Sequence, residues 1–231
     1  TWIDNIQITK GAGSVVNGYE SISGQINTEL IKPCDDIPFF FNFYGSTDSR
    51  YELNTHFNKK ISNKWATSLF VHGNARVQKN DMNDDMFLDN PLGKQINIAN
   101  RWHYSNSETG WVSFINFRYM NDEKQTGEID FDPNRDRLTT NFWGSEINTE
   151  RFDFSSKIGY VFKDMPYQSI GLQNAFSNHN QQSYFGLNQY DIKQQSYYSN
   201  LIFSSIINNT KHKFTSGFNF SYDKYSAFVN L

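Results

Sequence analysis

The sharpest chemical candidate is the run Asp81-Met82-Asn83-Asp84-Asp85-Met86-Phe87-Leu88-Asp89. Asp81, Asn83, Asp85 and Asp89 fall at positions one, three, five and nine of a calcium-type loop, with the Phe87 carbonyl at seven, so the spacing can offer hard oxygen ligands to a hard divalent cation. Met86 stands where such a loop wants Gly for its sharp turn, and Leu92 where a bidentate Glu belongs. A structural calcium is therefore the one candidate cofactor, and none is required; a solvated acidic loop is the alternative reading of the same residues. A second stretch, Glu128-Ile129-Asp130-Phe131-Asp132-Pro133-Asn134-Arg135-Asp136-Arg137, mixes carboxylates with guanidiniums, which suits either ligand contact or salt bridges that order a long loop.

The remaining chemistry-bearing residues are dispersed. His56, His72, His103, His179 and His212 lie on separate segments without helix-type ligand spacing. They suit either contacts to a metal chelate or polar filling of an interior. Arg76, Arg101, Arg118 and Arg151 read as partners for carboxylates, with substrate clamps as the alternative. Cys34 is the single cysteine, which excludes an internal disulfide and any CxxC site. No GxSxG, HExxH, phosphate-binding glycine loop or paired Cys/His set is present, and Lys10-Gly11-Ala12-Gly13-Ser14 lacks the order of a phosphate loop. No catalytic residue is assigned and no enzymatic activity is expected. A net charge of -3 and a pI near 5.9 give no basic footprint for nucleic acid.

The elements that must position these residues follow from composition and periodicity. Aromatic residues make up 17% of the 231, yet hydrophobic residues reach only 37% and mean hydropathy is -0.68, with 28 Asn. Disordered segments are poor in aromatics, and no run of about 20 apolar residues exists to form a membrane helix. Past residue 38 the dominant signal is period-two alternation, the signature of strands. Tyr51, Leu53, Thr55 and Phe57 alternate with Glu52, Asn54, His56 and Asn58; Phe152, Phe154, Ile158 and Tyr160 with Arg151, Asp153, Ser155 and Lys157; Phe214, Ser216, Phe218, Phe220 and Tyr222 with Lys213, Thr215, Gly217 and Asn219.

This predicts nine strands near 39–48, 50–60, 65–77, 94–105, 110–122, 146–162, 167–180, 190–207 and 212–224. Short connections at 61–64, 105–109, 163–166 and 208–211 interleave with long ones at 78–93, 123–145 and 181–189; only the first hairpin, at Asp48-Ser49, is tight on the long-loop side. In an up-and-down antiparallel sheet, alternate connections emerge at opposite ends, and outer-membrane barrels have that asymmetry of turns and loops. Strands of ten residues or more also suit a bilayer crossing better than the five or six of globular sheets. The aromatic face is then expected to meet lipid, with Asn, Ser, Gln and Arg lining a wet lumen.

Residues 1–33 differ. Ile3, Ile6 and Ile8, then Val15 and Val16, then Ile22 and Ile26 are interrupted by Gly11, Gly13, Gly18 and Gly24. They read as two short strands joined by a glycine-containing turn, attached through a hinge at about 33–38.

The run from Ile3 through Lys10-Gly11-Ala12-Gly13-Ser14-Val15-Val16-Asn17-Gly18, continued by Ser21-Ile22-Ser23-Gly24-Gln25-Ile26-Asn27 and Lys32-Pro33, resembles the C-terminal part of the plug domain in TonB-dependent outer-membrane receptors. Ala12-Gly13 replaces that family's usual Pro, and Ser23-Gly24 its usual Gly-Gly. The motif covers about 30 residues, with Lys10, Gly11, Gly13, Gly18 and Gly24 as its structural positions; the Asn- and aromatic-rich style resembles the family's Bacteroidetes branch.

The resemblance implies an all-β fold: a transmembrane antiparallel barrel of 22 strands, of which about nine are present, preceded by the end of a plug domain. Residues 1–33 would be that plug end and 34–231 the N-terminal portion of the barrel, so the chain is expected to be a fragment. It further implies active uptake of a scarce solute, a siderophore or other metal chelate, across the outer membrane of a Gram-negative cell. The implied partners are the TonB complex of the inner membrane, outer-membrane lipid, a small-molecule or chelate ligand and a surface lipoprotein. Two other readings stay open: a passive or adhesive barrel whose first segment is only a leader, and a soluble carbohydrate-binding β-sandwich.

Overall fold

The computed structural model describes residues 2–13, 16 and 22–231. The period-two segments past residue 38 form β3 (Phe39–Gly45), β4 (Arg50–Lys60), β5 (Trp65–Arg76), β6 (Leu92–Asn106), β7 (Trp111–Gly127), β8 (Gly144–Val161), β9 (Ser169–Phe185), β10 (Asn188–Ile207) and β11 (Asn209–Asn230). Each pairs antiparallel with its sequence neighbour, giving one nine-stranded meander in the order β11-β10-β9-β8-β7-β6-β5-β4-β3. The sheet is open: β3 and β11 are its two edges and do not pair with each other. Before it lies a two-stranded antiparallel sheet of β1 (Ile3–Lys10) and β2 (Gly24–Leu30).

The expected alternation of tight turns and long loops holds at one end and is corrected at the other. Connections at 61–64, 107–110 and 162–168, and the single residue Asn208, are short. At the opposite end 77–91 and 128–143 are long, but the loop expected over 181–189 is a tight turn at Gly186-Leu187. Gly186 adopts a φ of 60° and donates its N–H to the Gly144 carbonyl at 2.8 Å, so β9 runs on to Phe185. Its Gln- and Ser-rich end looks like loop from composition, yet strands on both sides satisfy its backbone, and Tyr184 packs 6.5 Å from the Phe131 ring.

One sheet face is polar and carries the first unit. Cross-strand pairs put His56, Phe70, Ala99 and Arg118 in one row of that face, and Asn58, Ser68, Arg101, Asn116 and Ser155 in the next but one. The β1–β2 sheet lies here: Trp2 sits 5.5 Å from the Phe70 ring, Arg101 donates to the Leu30 carbonyl at 2.9 Å, and Asn200 on β10 donates to the Val16 carbonyl at 2.9 Å. The expected hinge at 33–38 is a turn tied to β4, where Asn58 donates its backbone N–H to Pro38 at 2.8 Å and its amide to Ile37 at 2.7 Å.

The other face is an apolar band. One row reads Phe39, Phe57, Leu69, Asn100, Phe117, Phe154, Phe176, Tyr197 and Tyr222 across all nine strands. These rings stand open to the surroundings, with Phe39 52% and Phe117 42% exposed. The band has parallel borders. Along β6 it runs from Ile96 to Tyr104, along β7 from Trp111 to Tyr119, along β8 from Phe152 to Tyr160 and along β11 from Phe214 to Tyr222, a rise of eight residue steps each time. Beyond it, Lys94, Asn121, Glu150 and Lys224 take over on the long-loop side.

That border does not follow the hydrogen-bonded rows. Its last apolar residue is Tyr51 on β4 and Tyr222 on β11, yet the row through Tyr222 reaches β4 at Phe57, six residues further along the strand. With a rise of ~3.4 Å per residue and a strand spacing of ~4.8 Å, this slope tilts the strands by about 30° to the band normal.

Candidate functional site

Alternation places the imidazoles of β4 to β9 and the side chains of Arg101, Arg118, Arg151 and Asp153 on the polar face, and the β1–β2 sheet roofs this face, leaving a cavity of about 540 Å³. Trp2, Ile3, Thr28 and Leu30 form its roof; Asn54, His72, Asn97, Arg101, Asn116, Arg118, Arg151, Asp153 and Ser155 line its polar floor. Arg151 grips Asp153 through Nε at 2.9 and 3.0 Å, and its Nη2 lies 2.9 Å from the same carboxylate. Arg118 Nη1 stands back at 3.7 Å from Asp153, while Arg118 Nε donates to Asn97 Oδ1 at 3.1 Å. Arg101 stacks 4.6 Å over the Phe114 ring, and its Nε is buried without a hydrogen-bond acceptor.

Of the four arginines read as carboxylate partners, Arg76 meets Asp48 at 3.0 Å, Arg151 hydrogen-bonds Asp153 while Arg118 stands at ion-pair distance from it, and Arg101 instead binds main-chain carbonyls of the first unit. His56 is 3% exposed and bonds Asp36 at 2.7 Å. His72 bonds Asn54 at 2.7 Å, and His103 lies 3.6 Å from the Cys34 sulfur and is stacked on Phe114. These three and His179 share the polar face, as alternation requires, but each has its own surroundings. His212 lies beside the Asn208 turn.

The motif positions of the first unit fall at the β1–β2 junction. Lys10 pairs with Gly24, and Gly11 follows with a φ of 84°, a left-handed conformation suited to glycine. A Cβ on Gly24 would lie 2.9 Å from the Thr9 carbonyl oxygen. Gly13 follows in irregular backbone, and Gly18 and Val15 lie outside the described residues.

Asp81, Asn83, Asp85 and Asp89 do lie in one loop, and their oxygens serve the loop itself. Asp81 accepts the N–H groups of Asp85 at 3.2 Å and Met86 at 2.9 Å; Asp85 accepts those of Phe87 at 2.8 Å and the Asn83 amide at 2.9 Å; Asp89 accepts the Met82 N–H at 2.8 Å. Met86 has a φ of 68°, so the position expected to want Gly does take the left-handed turn. Among the described residues no three His, Cys, Asp or Glu side chains converge as metal ligands.

The mixed loop is ordered by its own charges. The one-turn helix α1 (Pro133–Asp136) begins after Asp132, whose side chain accepts the Asn134 N–H. Arg135 binds Asp136 through Nε at 2.9 Å and Nη2 at 2.8 Å, and Asp136 also accepts the Asp132 N–H at 3.0 Å. The Arg135 guanidinium holds the buried Asp136 carboxyl down at a pKa of about 2. In the 46–49 turn Asp48 is likewise lowered, first by the Ser46 hydroxyl and then by the Arg76 charge. The two long loops join: Phe87 bridges to Glu128, Leu88 donates to Gly127 at 2.9 Å and Ile129 to Met86 at 2.8 Å.

Sequence reasoning missed two parts of this site. Asp153 was visible only as one wet-face residue; the Arg151-x-Asp153 spacing, which alternation puts on one face, is the signal that identifies it. Trp2 has no such signal, because its contact with Phe70 joins residues remote in sequence. No protein-family model, curated protein or solved structure matches the chain.

Proposed function

We propose that the chain is the plug end and early barrel strands of a TonB-dependent receptor in the outer membrane, taking up a siderophore or other metal chelate. The observation that carries this reading is the tilted apolar band. Eight residue steps span ~27 Å of strand and, at a tilt of about 30°, a slab of about 24 Å, close to the lipid-facing height of outer-membrane barrels. Several polar groups inside the band find partners within the sheet: Thr55 donates to the Phe40 carbonyl at 2.7 Å, Thr67 to that of Arg101 at 3.0 Å, and Asn174 accepts the Tyr197 and Ser199 hydroxyls at 3.1 and 2.9 Å. Hydrocarbon demands this, because an unpaired polar group there costs several kcal/mol. At the short-turn border Trp65, Trp102 and Tyr104 cluster, as do Trp111 and Tyr160, resembling an interfacial girdle.

In this reading the open edges β3 and β11 are closed by further strands, since an exposed ladder is untenable in lipid. The joined loops 77–91 and 128–143 face outward and meet the ligand, with or without a surface lipoprotein. The β1–β2 sheet plugs the lumen, held by polar contacts such as Arg101 to Leu30 and Asn200 to Val16, which a pull from the TonB complex can break one at a time. The work is binding and movement, and no residue is assigned to catalysis.

Fractionation of producing cells tests the reading: the protein should sediment with the outer membrane and be released only by detergent. After Trp2 and Trp143 are replaced by Phe, brominated lipid should quench the fluorescence of Trp65, Trp102 and Trp111. A soluble monomer obtained without detergent overturns the proposal.

A further inference from the structure

We propose that the cavity beneath the β1–β2 sheet is a binding site for a compact oxyanion, a phosphate or a small di- or tricarboxylate, held by the open fork of Arg118. The charges on its wall do not balance. Among the described residues, three guanidiniums, Arg101, Arg118 and Arg151, line it against one carboxylate, that of Asp153. Asp153 is committed to Arg151, which takes both of its oxygens, and Arg118 Nη1 is left at 3.7 Å, beyond hydrogen-bond reach. The neighbour of Arg118 Nη2 is the Met120 sulfur at 3.7 Å, a weak acceptor. Arg118 is thus held in place by its Nε bond to Asn97, with its outer fork turned to a thioether and open space.

A planar fork held at its root matches two oxygens of one anion. Across the cavity Arg101 forms no ion pair among the described residues and spends Nη1 on the Leu30 and Ile31 carbonyls, so it adds positive potential without closing the site. A volume of about 540 Å³ admits a phosphate or citrate with water. The site stands on its own geometry and does not require that the sheet be a barrel wall.

Calorimetric titration of the purified full-length protein with inorganic phosphate and with citrate, and with glucose as the neutral control, tests it. Saturable binding of at least one anion and none of glucose is expected. Arg118→Gln should weaken it by about tenfold or more, as loss of a charge-assisted pair does. Asp153→Asn should tighten it several-fold, because it removes the competing carboxylate, an effect that a scaffold role of Asp153 would not produce. Ala99→Glu, which places a carboxylate in the same cross-strand row as Arg118, should abolish binding even where Arg118→Gln fails to fold. No saturable binding of either anion at ~10 mM, an unchanged Arg118→Gln, or weakening by Asp153→Asn overturns the proposal. The readout is binding without transport, so its failure leaves the uptake proposal standing.

Discussion

The Trp102 indole N–H donates to Asn100 Oδ1 at 2.6 Å, two residues away on the same face of β6. Asn100 is the one amide in its otherwise apolar cross-strand row, and its own NH₂ reaches Thr67 Oγ1 at 3.2 Å and the Ser68 carbonyl at 2.9 Å. Both N–H donors and the carbonyl oxygen of this amide are engaged inside the sheet, which lets a polar residue sit on an apolar surface.

Asn100→Ala therefore orphans the Trp102 N–H. The expected loss is about 1 kcal/mol of stability, approaching 2 if the group is held in hydrocarbon. Urea unfolding of the protein in detergent or lipid checks it. An unchanged midpoint means that the bond contributes nothing.

Gly144 faces a buried ring: a Cβ there would meet Phe131 ring carbons at 2.4 Å, and Phe131 is 1% exposed and has no room to swing aside. Gly144→Ala should loosen the 128–143 loop at a cost of about 1–3 kcal/mol, the usual range for overpacking. Faster protease cleavage within that loop, with the strands still intact, is the expected readout.

Asp136 supplies a pH dependence with a definite sign. Its folded pKa of about 2 lies below the ordinary carboxyl value near 3.9, so its contribution is complete above about pH 4 and is lost as pH falls toward 2. Proteolytic protection of the loop should be flat above that window and decline within it. Asp136→Asn should be less protected at neutral pH and lack that decline.

The loop around Asp81 should respond to its own hydrogen bonds rather than to metal. Since Asp81, Asp85 and Asp89 already accept N–H groups of the loop, millimolar calcium is expected to leave the cleavage rate at 78–91 unchanged. Asp81→Ala should raise that rate, because it frees the Asp85 and Met86 N–H groups. Protection by calcium would instead support the cation-binding reading of Asp81, Asn83, Asp85 and Asp89.

What the sequence determined by itself was local. Strict alternation at Tyr51 to Asn58 or at Arg151 to Tyr160 dictates both the strand and which side chains share a face, because successive residues of a strand point to opposite sides. That alternation puts His56, His72, His103 and His179 on one surface with Arg101, Arg118 and Arg151. Composition misled where ladders compensate for polarity, as at Gln181 to Phe185, whose backbone is paired on both sides. Tertiary structure alone decided what each charge meets. Asp153 goes to Arg151 rather than Arg118, Arg101 turns to main-chain carbonyls near Leu30, and Trp2 settles by Phe70. The tilt of the apolar band belongs to the same class, because it depends on the register between strands, and register arises only when distant segments pair and their side chains pack together.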